Sequence, residues 1–238
     1  MKAIVLAAGC GKRMQGYAPE IPKVMLPMSD GKPIIDHVIK RLTRYGLEPI
    51  IAISRSGYGE RIRKYFNGNN MVTFSETNEP SGTAGEVYQA RGLLKGEKTF
   101  LVYYGDIVAD VDLYAMQRMH GIGKNIITLC GRRVMESPEG LMKQDGERVV
   151  FVEKPTVDIT KLGYDAANCP IFFAERDVLN YIDRMRPEYS TELDFSKHIF
   201  PALSSDRKRM QIYVHDGFYY NVSDGKVAEA VKTLDLDF

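Results

Sequence analysis

A short glycine-containing segment near the N-terminus has the composition of a phosphate-binding turn. Leu6-Ala7-Ala8-Gly9-Cys10-Gly11-Lys12-Arg13 follows an apolar stretch, and its glycines allow a sharp turn whose N–H groups can approach phosphate oxygens. Lys12 and Arg13 place positive charge beside that turn. The segment matches neither the dinucleotide fingerprint, which has a third glycine, nor the GxxxxGKS/T loop. Taken alone, it predicts only a tight strand-to-helix turn with exposed cations.

A second segment makes a phosphate site the better interpretation. In Pro22-Lys23-Val24-Met25-Leu26-Pro27, a single lysine stands in an apolar stretch framed by two prolines. Each proline fixes its own φ, so the backbone around Lys23 is restricted. A solvated surface lysine needs no such frame. The pattern therefore predicts that Lys23 is a positioned cation.

Three further segments carry residues that could bind a ligand or a metal. Asp106 follows Gly105 at the end of an apolar run, a place that suits Mg²⁺ beside phosphates. The glycine-rich stretch from Glu79 to Glu86 precedes a predicted helix, whose N-terminus favours an anion or a flat ligand. Asp110 and Asp112 form a rival carboxylate pair of the kind glycosyltransferases use, although Asp112 also fits the N-cap of the next helix.

The elements that must position these segments alternate between strand and helix in the first half of the chain. Apolar patterning predicts strands at 2–6, 49–54, 72–75, 99–104 and 125–130, and helices opening at Pro33 and covering 60–66, 84–94 and 112–120. In the second half we expect a hairpin joining 141–143 to 148–152, strands at 168–173 and 210–214, and helices at 176–185, 193–203 and from 224.

This alternation predicts an α/β fold, a Rossmann-like three-layer α/β/α sandwich whose sheet is mainly parallel with a mixed edge. No linker or internal repeat interrupts residues 1–238, so a single domain is expected. In such sheets ligands sit beyond the carboxyl ends of the strands. The glycine turn, Glu79 to Glu86 and Asp106 all follow predicted strands, which places them at that edge.

Composition excludes several classes of ligand and location. Lys and Arg total 32 and Asp and Glu total 31 among the 238 residues, so no basic field exists to hold a nucleic acid. No apolar stretch approaches the roughly 18–20 residues that cross a bilayer. The three cysteines have no CxxC spacing, as is usual in a reducing compartment. We therefore expect a cytoplasmic protein that binds small anionic ligands and neither nucleic acid nor a membrane.

The order LAAGCGKRM, PKVMLP, GKPIIDHVI resembles the opening of the sugar nucleotidyltransferase family, the nucleoside-diphosphate-sugar pyrophosphorylases. The resemblance continues along nearly the whole chain through EPSGTAG, GD, EKP and a strand beginning at Asn168. It implies the nucleotide-diphospho-sugar transferase type of fold. It also implies Mg²⁺ as cofactor, with a nucleotide-binding part at roughly 1–130 and a sugar-phosphate-binding part at roughly 131–238.

The resemblance also assigns roles to individual positions. Arg13, Lys23 and Asp106 would be catalytic, and Asp106 and Asn221 would hold the metal. The residues that would bind the nucleotide are Leu6, Ala8, Gly9, Gly11, Arg13, Glu79, Gly82 and Thr83. Those that would bind the sugar phosphate are Glu153, Lys154 and Asn168.

The chain departs from the family pattern at several positions. It has no Gln before Gly82, which members using pyrimidine triphosphates often carry, and EPSGTAG is closest to mannose-1-phosphate and heptose-1-phosphate guanylyltransferases. Pro170 stands where the family has Gly, so a different local backbone is expected. Near the C-terminus Tyr219, Asn221 and Ser223 replace Trp, Asp and Gly of the family's WxDxG. The neutral Asn221 predicts weaker metal binding before the nucleotide arrives.

The resulting hypothesis is a nucleotidyltransferase that converts a nucleoside triphosphate and a sugar 1-phosphate to a nucleotide sugar and pyrophosphate. GTP with a mannose- or heptose-type sugar is favoured. UTP, dTTP or CTP, a cytidylyltransferase for another phosphate monoester, a glycosyltransferase using Asp110 and Asp112, and a relative that only binds nucleotide remain alternatives. A homo-oligomer is left open.

Overall fold

Strands and helices alternate as the apolar pattern predicts. The computed structural model describes residues 1–9, 21–56, 58–133, 140–153, 163–188, 192–222 and 225–234. The strands are β1 (Lys2–Leu6), β2 (Glu48–Ser54), β3 (Thr73–Thr77), β4 (Thr99–Tyr104), β5 (Ile107–Ala109), β6 (Ile127–Arg132), β7 (Gly140–Asp145), β8 (Arg148–Glu153), β9 (Ala166–Glu175), β10 (Met210–His215) and β11 (Tyr219–Asn221). The α-helices are α1 (Ile34–Arg44), α2 (Gly59–Tyr65), α3 (Thr83–Gln89), α4 (Leu113–Gly123), α5 (Val178–Met185), α6 (Phe200–Ser205) and α7 (Gly225–Lys232).

The main sheet is mixed, and its antiparallel strand lies inside it. Its order is β10-β6-β9-β4-β1-β2-β3, with β7 paired to β9 and β8 paired to β7. Strands β1 to β4 are parallel, and β9 runs antiparallel to both β4 and β6. The expected α/β class is confirmed, but the antiparallel strand is not at the edge of the sheet as expected. Because β4 and β6 both run antiparallel to β9, which lies between them, their carboxyl ends lie at the same end of the sheet.

Helices cover both faces of this sheet and give the expected three layers. Successive β1 residues face opposite ways, with Ala3 and Val5 in one apolar cluster and Ile4 in the other. The first cluster includes residues of α1, α2, α4 and α7, and the second includes residues of α3, α5 and α6. Both clusters contain side chains that are fully buried, which is why the β1 and β4 sequences read as continuous apolar runs.

Two of the predicted helices have different ends or geometry. The helix expected at 84–94 becomes α3 and then a 3-10 turn at Ala90–Gly92. The helix expected at 193–203 begins as a π-helical turn, Phe195–Ile199, and continues as α6. Pro201 lies at the start of α6 and has no N–H to donate to the preceding turn, which accounts for the changed bonding.

A small second sheet, β5 with β11, is absent from the prediction. The two strands are antiparallel and pair Asn221 with Ile107 and Tyr219 with Ala109. A three-residue pairing between segments more than a hundred positions apart leaves no local pattern to detect. It brings the C-terminal segment that contains Asn221 to the end of β4.

None of the helices in the described part of the chain is both long and apolar enough to cross a membrane.

A buried polar network joins α4 to β6 and β9. His120 is 2% exposed, and its ring contacts Thr128 Oγ1 at 2.9 Å and Glu175 Oε1 at 3.2 Å. Burial lowers the pKa of His120 below its usual 6.5, and the hydrogen bond to Glu175 opposes that shift. Between the lowered value and 6.5 the unfolded chain binds the proton more readily, so acidification favours unfolding there.

The wild type should have a larger free energy of unfolding than His120→Gln, and we expect this difference to decrease as pH falls from 7.5 to 5.5. Chemical denaturation of both proteins at both pH values measures the difference. Thr43→Val, which removes a hydroxyl hydrogen bond on α1 and no titratable group, is the control. A wild-type advantage that is constant or grows with acidification would contradict the assignment.

Candidate nucleotide and sugar-phosphate site

A cavity of about 200 Å³ lies beyond the carboxyl ends of β1 and β4. It is formed by the turn after β1, the segment around Lys23, the turn before α3 and the end of β4. Seven of the residues predicted to be catalytic or to bind nucleotide or metal line it, namely Leu6, Ala8, Gly9, Lys23, Gly82, Thr83 and Asp106. Segments separated by up to a hundred residues in sequence therefore meet at this edge, as the parallel arrangement of β1 and β4 requires.

Lys23 and Asp106 form an ion pair in this cavity. The Lys23 ammonium donates to Asp106 Oδ2 at 2.5 Å, and the two side chains are 16% and 22% exposed. Lys23 begins a 3-10 turn, Lys23–Met25, directly after Pro22. Gly105 permits the close approach of β4 to this turn, because an added Cβ would lie 3.0 Å from the Leu6 carbonyl oxygen and 3.2 Å from Val24 Cγ1. The predicted framed cation is thus placed against the predicted metal ligand.

The turn before α3 is held by the backbone of the segment that precedes the π-helical turn. Gly82 has φ 80° and ψ 164°, a region that is essentially restricted to glycine. A Cβ on Gly82 would lie 2.4 Å from the Leu193 carbonyl oxygen, which accepts from Ala84 N at 2.9 Å. Thr83 Oγ1 donates to Asp194 Oδ2 at 2.9 Å and accepts from Phe195 N at 3.0 Å. Both Gly82 and Thr83 are therefore fixed by packing that sequence spacing does not reveal.

Two residues that line the cavity, Glu86 and Tyr104, carry no role in the sequence-based prediction. Glu86 is 4% exposed, and its carboxylate accepts from Ser81 N at 3.0 Å and from Thr77 Oγ1 at 3.1 Å. Burial raises the pKa of Glu86, and these hydrogen bonds oppose the shift. Burial also raises the pKa of Tyr104 well above its usual value. In the sequence, only its position four residues after Gly82 could have indicated that Glu86 lines the cavity. Nothing in the sequence distinguishes Tyr104 from an ordinary core residue of β4.

Asn221 lies beside Asp106 because β11 pairs with β5. Asn221 is opposite Ile107, and the Val222 N–H donates to the Asp106 carbonyl oxygen at 3.1 Å. Among the residues that the structure describes, no three His, Cys, Asp or Glu side chains cluster as a metal site. The donors here would be one carboxylate and one amide oxygen. Such a set fits Mg²⁺, which takes oxygen ligands, often only one or two carboxylates, and completes its shell with water and substrate phosphates.

Asn168 on β9 and Glu153 on β8 lie on the two strands that flank β7, and neither lines the cavity. Glu153 is opposite Gly140 across β7 and β8, and a Cβ on Gly140 would lie 3.4 Å from Asn168 Cβ. Asn168 Oδ1 is buried and has no hydrogen-bond partner among the described residues. A buried amide oxygen without a donor is costly and marks a place where a ligand hydroxyl could donate.

Pro170 lies at an irregularity in the pairing of β6 with β9. The pairing of β6 with β9 shifts between Leu129 and Cys130, so that Leu129 pairs with Phe172 and Cys130 with Cys169. Pro170 falls in the skipped part of that ladder. Because proline has no N–H to donate to a ladder, it is tolerated in a sheet at such a bulge.

The rival carboxylate pair is already engaged in structural contacts. Asp110 Oδ1 lies 3.0 Å from His215 Nε2, and Asp112 Oδ1 accepts from Ala115 N at 2.9 Å as the N-cap of α4. The alternative in which Asp110 and Asp112 bind a metal for glycosyl transfer is therefore not supported.

Some predicted residues cannot be placed. Gly11, Arg13 and Lys154 lie outside the described residues. Glu79 is exposed and precedes the lining residue Pro80.

Comparison with known proteins shows the family to which the chain belongs. A family model described as "Nucleotidyl transferase" matches residues 2–221. The chain is 32% identical over 183 residues to the "Probable glucose-1-phosphate cytidylyltransferase" of Bacillus subtilis (strain 168), covering 66% of this chain and 70% of that protein. It is 28% identical over 236 residues to the mannose-1-phosphate guanyltransferase of Schizosaccharomyces pombe, covering 95% of this chain and 62% of the relative.

A solved structure shares the fold. HddC from Yersinia pseudotuberculosis, crystallised in complex with GMP-PN, matches with a TM-score of 0.77 at 20% identity over 97% of each chain. At that identity the likeness shows the fold alone. The chain spans less than two thirds of the length of several curated relatives, with 62% for the Schizosaccharomyces pombe protein and 49% for the bifunctional protein GlmU of Methanococcus vannielii.

The contact between Gly82 and Leu193 generates a testable prediction. Gly82→Ala should both destabilise the protein and weaken nucleotide binding, because the new Cβ meets backbone atoms that cannot move without displacing the turn. Strain and overpacking together predict a loss of about 2–4 kcal/mol of unfolding free energy.

Gly68→Ala is the matched control, since Gly68 has φ 81° and open space around the position of a Cβ. It should cost about 1–2 kcal/mol from its backbone conformation alone and leave nucleotide affinity unchanged. Denaturation curves and GTP titrations measure both effects. Equal behaviour of the two variants would show that the Leu193 contact does not hold the turn.

Proposed function

The chain belongs to the nucleotidyl transferase family, and on that basis we propose that it joins a nucleoside triphosphate to a sugar 1-phosphate and releases pyrophosphate. The observation that carries this proposal is the Lys23–Asp106 ion pair at the wall of a cavity that also contains Gly9 and Gly82. It combines a positioned cation, a carboxylate suited to Mg²⁺ and two glycine turns at one strand edge. Such a combination suits a triphosphate.

The proposed reaction is a single in-line displacement. An oxygen of the sugar 1-phosphate forms a bond to the α-phosphorus, and the bond to the β-phosphate oxygen breaks, releasing pyrophosphate. A phosphate monoester is already a nucleophile, so no general base is required. The barrier comes from repulsion between two anions and from charge on the leaving group, which positioning and cations reduce.

Each described residue has a distinct part in this scheme. The ammonium group of Lys23 would leave Asp106, donate a hydrogen bond to a phosphate oxygen and balance negative charge there. The backbone around Gly9 would approach the phosphates, while Gly82 and Thr83 would face the base. Asp106 and Asn221 would hold Mg²⁺, which when bound supplies positive charge to the phosphate oxygens. Asn168 would accept a hydrogen bond from the sugar. By resemblance, Arg13 would bind the phosphates.

We propose GTP as the triphosphate and a mannose- or heptose-type sugar phosphate as its acceptor. Support comes from the Gly82-Thr83-Ala84-Gly85 turn without a preceding Gln and from the name of the Schizosaccharomyces pombe relative. The Bacillus subtilis relative favours a second candidate, CTP with glucose 1-phosphate. The nucleotide part of the proposed division, roughly 1–130, contains every residue lining the cavity, and Glu153 and Asn168 belong to the remainder.

A pyrophosphate-release screen tests the reaction and its substrates. The four ribonucleoside triphosphates and dTTP are each combined with a panel of sugar 1-phosphates in the presence of Mg²⁺. We expect GTP with mannose 1-phosphate or a heptose 1-phosphate to give the highest rate. A preference for CTP with glucose 1-phosphate would replace the guanylyltransferase proposal, and silence in every combination would refute the catalytic one.

Lys23→Ala and Asp106→Ala should each lower turnover by about 100- to 1,000-fold, the range for loss of one group that stabilises transition-state charge. Thermal stability should change little, because partly exposed ion pairs contribute only about 1 kcal/mol. Lys40→Ala is the control, since Lys40 pairs with Asp36 at 2.6 Å on α1 and does not line the cavity. Activity that survives either substitution would remove that residue from the scheme.

A further inference from the structure

Arg132 ends β6 at the same edge of the sheet as the candidate site. It lies between Ala167 of β9 and His215 of β10 in the strand registers. Its guanidinium lies over the ring of Tyr219, with the carbon Cζ 5.2 Å from the ring centroid. A guanidinium stacked on an aromatic ring keeps its N–H groups directed outward in the plane of the fork.

The stacking places Arg132 on the side of β11 that carries Asn221. Tyr219 and Asn221 are two residues apart in a strand, so their side chains point to the same face. Asn221 is in turn opposite Ile107, the residue after Asp106. The guanidinium therefore lies on the face of β11 that carries Asn221, one of the two residues proposed to hold the metal.

Arg132 has no carboxylate partner among the residues that the structure describes. It is half-buried, and its Nε is buried without a hydrogen-bond partner in that part of the chain. A cation removed from water without a counterion is unfavourable. The adjacent Arg133 differs, because its side chain is 80% exposed and its Nε lies 3.1 Å from Asp216 Oδ1. Lys23, which lines the cavity, is already paired with Asp106.

We propose that Arg132 binds the phosphate of the sugar 1-phosphate and is a substrate-binding residue of this enzyme. This inference rests on the proposed function, since it names the group that receives the second anionic substrate. A phosphate monoester is the anion that matches the site, because its oxygens accept two parallel N–H bonds from the planar fork. In this proposal the two cations bind different substrates: Lys23 binds the triphosphate and Arg132 binds the sugar 1-phosphate.

The test compares Arg132→Ala and Arg132→Lys with Arg133→Ala as the matched control. The KM for α-D-mannose 1-phosphate is measured at saturating GTP, and binding of α-D-mannose 1-phosphate and of inorganic phosphate is measured by calorimetry with α,β-methylene GTP present. We expect Arg132→Ala to weaken the acceptor about 10- to 100-fold, as for loss of charge-assisted hydrogen bonds. Arg132→Lys should lose less, and GTP affinity should not change in any variant.

The outcomes separate this proposal from the proposed reaction. If no combination of triphosphate and sugar phosphate reacts, but Arg132→Ala alone weakens phosphate binding, then Arg132 is confirmed as an anion-binding residue and the proposed reaction is refuted. If turnover falls in Arg132→Ala while the KM and the binding constants of the acceptor stay at wild-type values, the guanidinium acts only by supporting Tyr219 and the proposal is wrong. Equal weakening by Arg133→Ala would also overturn it.

Discussion

The hydrogen-bond ladder on both sides of β9 joins the two halves of this protein. On one side β9 pairs with β4 from Thr99↔Glu175 to Tyr103↔Ile171, and on the other it pairs with β6. One ten-residue strand therefore connects the parallel strands β1 to β4 to the remaining strands of the main sheet. Because β9 is antiparallel to both neighbours, its amino end meets the carboxyl ends of β4 and β6. Asn168, Asp106 and Arg132 lie at that edge for this reason.

The same ladder would give the proposed site two sides with different chemistry. The turns around Gly9 and Gly82 follow parallel strands and line the cavity. Asn168 and Glu153 belong to strands that run the other way or form a hairpin, and their side chains carry the polar groups. Backbone donors suit phosphates, and side-chain amides and carboxylates suit hydroxyl groups. In our proposal, the segments after the parallel strands bind the triphosphate, and the strands on the other side of the change in direction bind the sugar.

Sequence patterns predict those parts of the structure that depend on local periodicity. The apolar runs of β1 and β4 predict strands with the observed ends, and the prolines around Lys23 predict a restricted cation, which the structure pairs with Asp106. Contacts between distant segments leave no such pattern. The β5–β11 pairing, the packing of Gly82 on Leu193 and the placement of the Arg132 guanidinium over Tyr219 each depend on residues more than 80 positions apart. Those contacts decide the detail of the site, and only the folded chain reveals them.

The distribution of charge at the carboxyl ends of the strands would couple the binding of metal and triphosphate in the proposed reaction. Asp106 is matched by the ammonium of Lys23, and Asn221 adds no second negative charge. A divalent cation that approaches the protein before any nucleotide has bound would therefore meet a carboxylate whose charge is already balanced by Lys23. In the proposed reaction, phosphate oxygens would draw Lys23 away from Asp106, and that carboxylate would then be available as a metal ligand beside the phosphate oxygens themselves. A carboxylate at position 221 would remove this dependence, because it would attract the cation before any nucleotide is present. The replacement of Asp by Asn thus favours a site in which metal and triphosphate bind together.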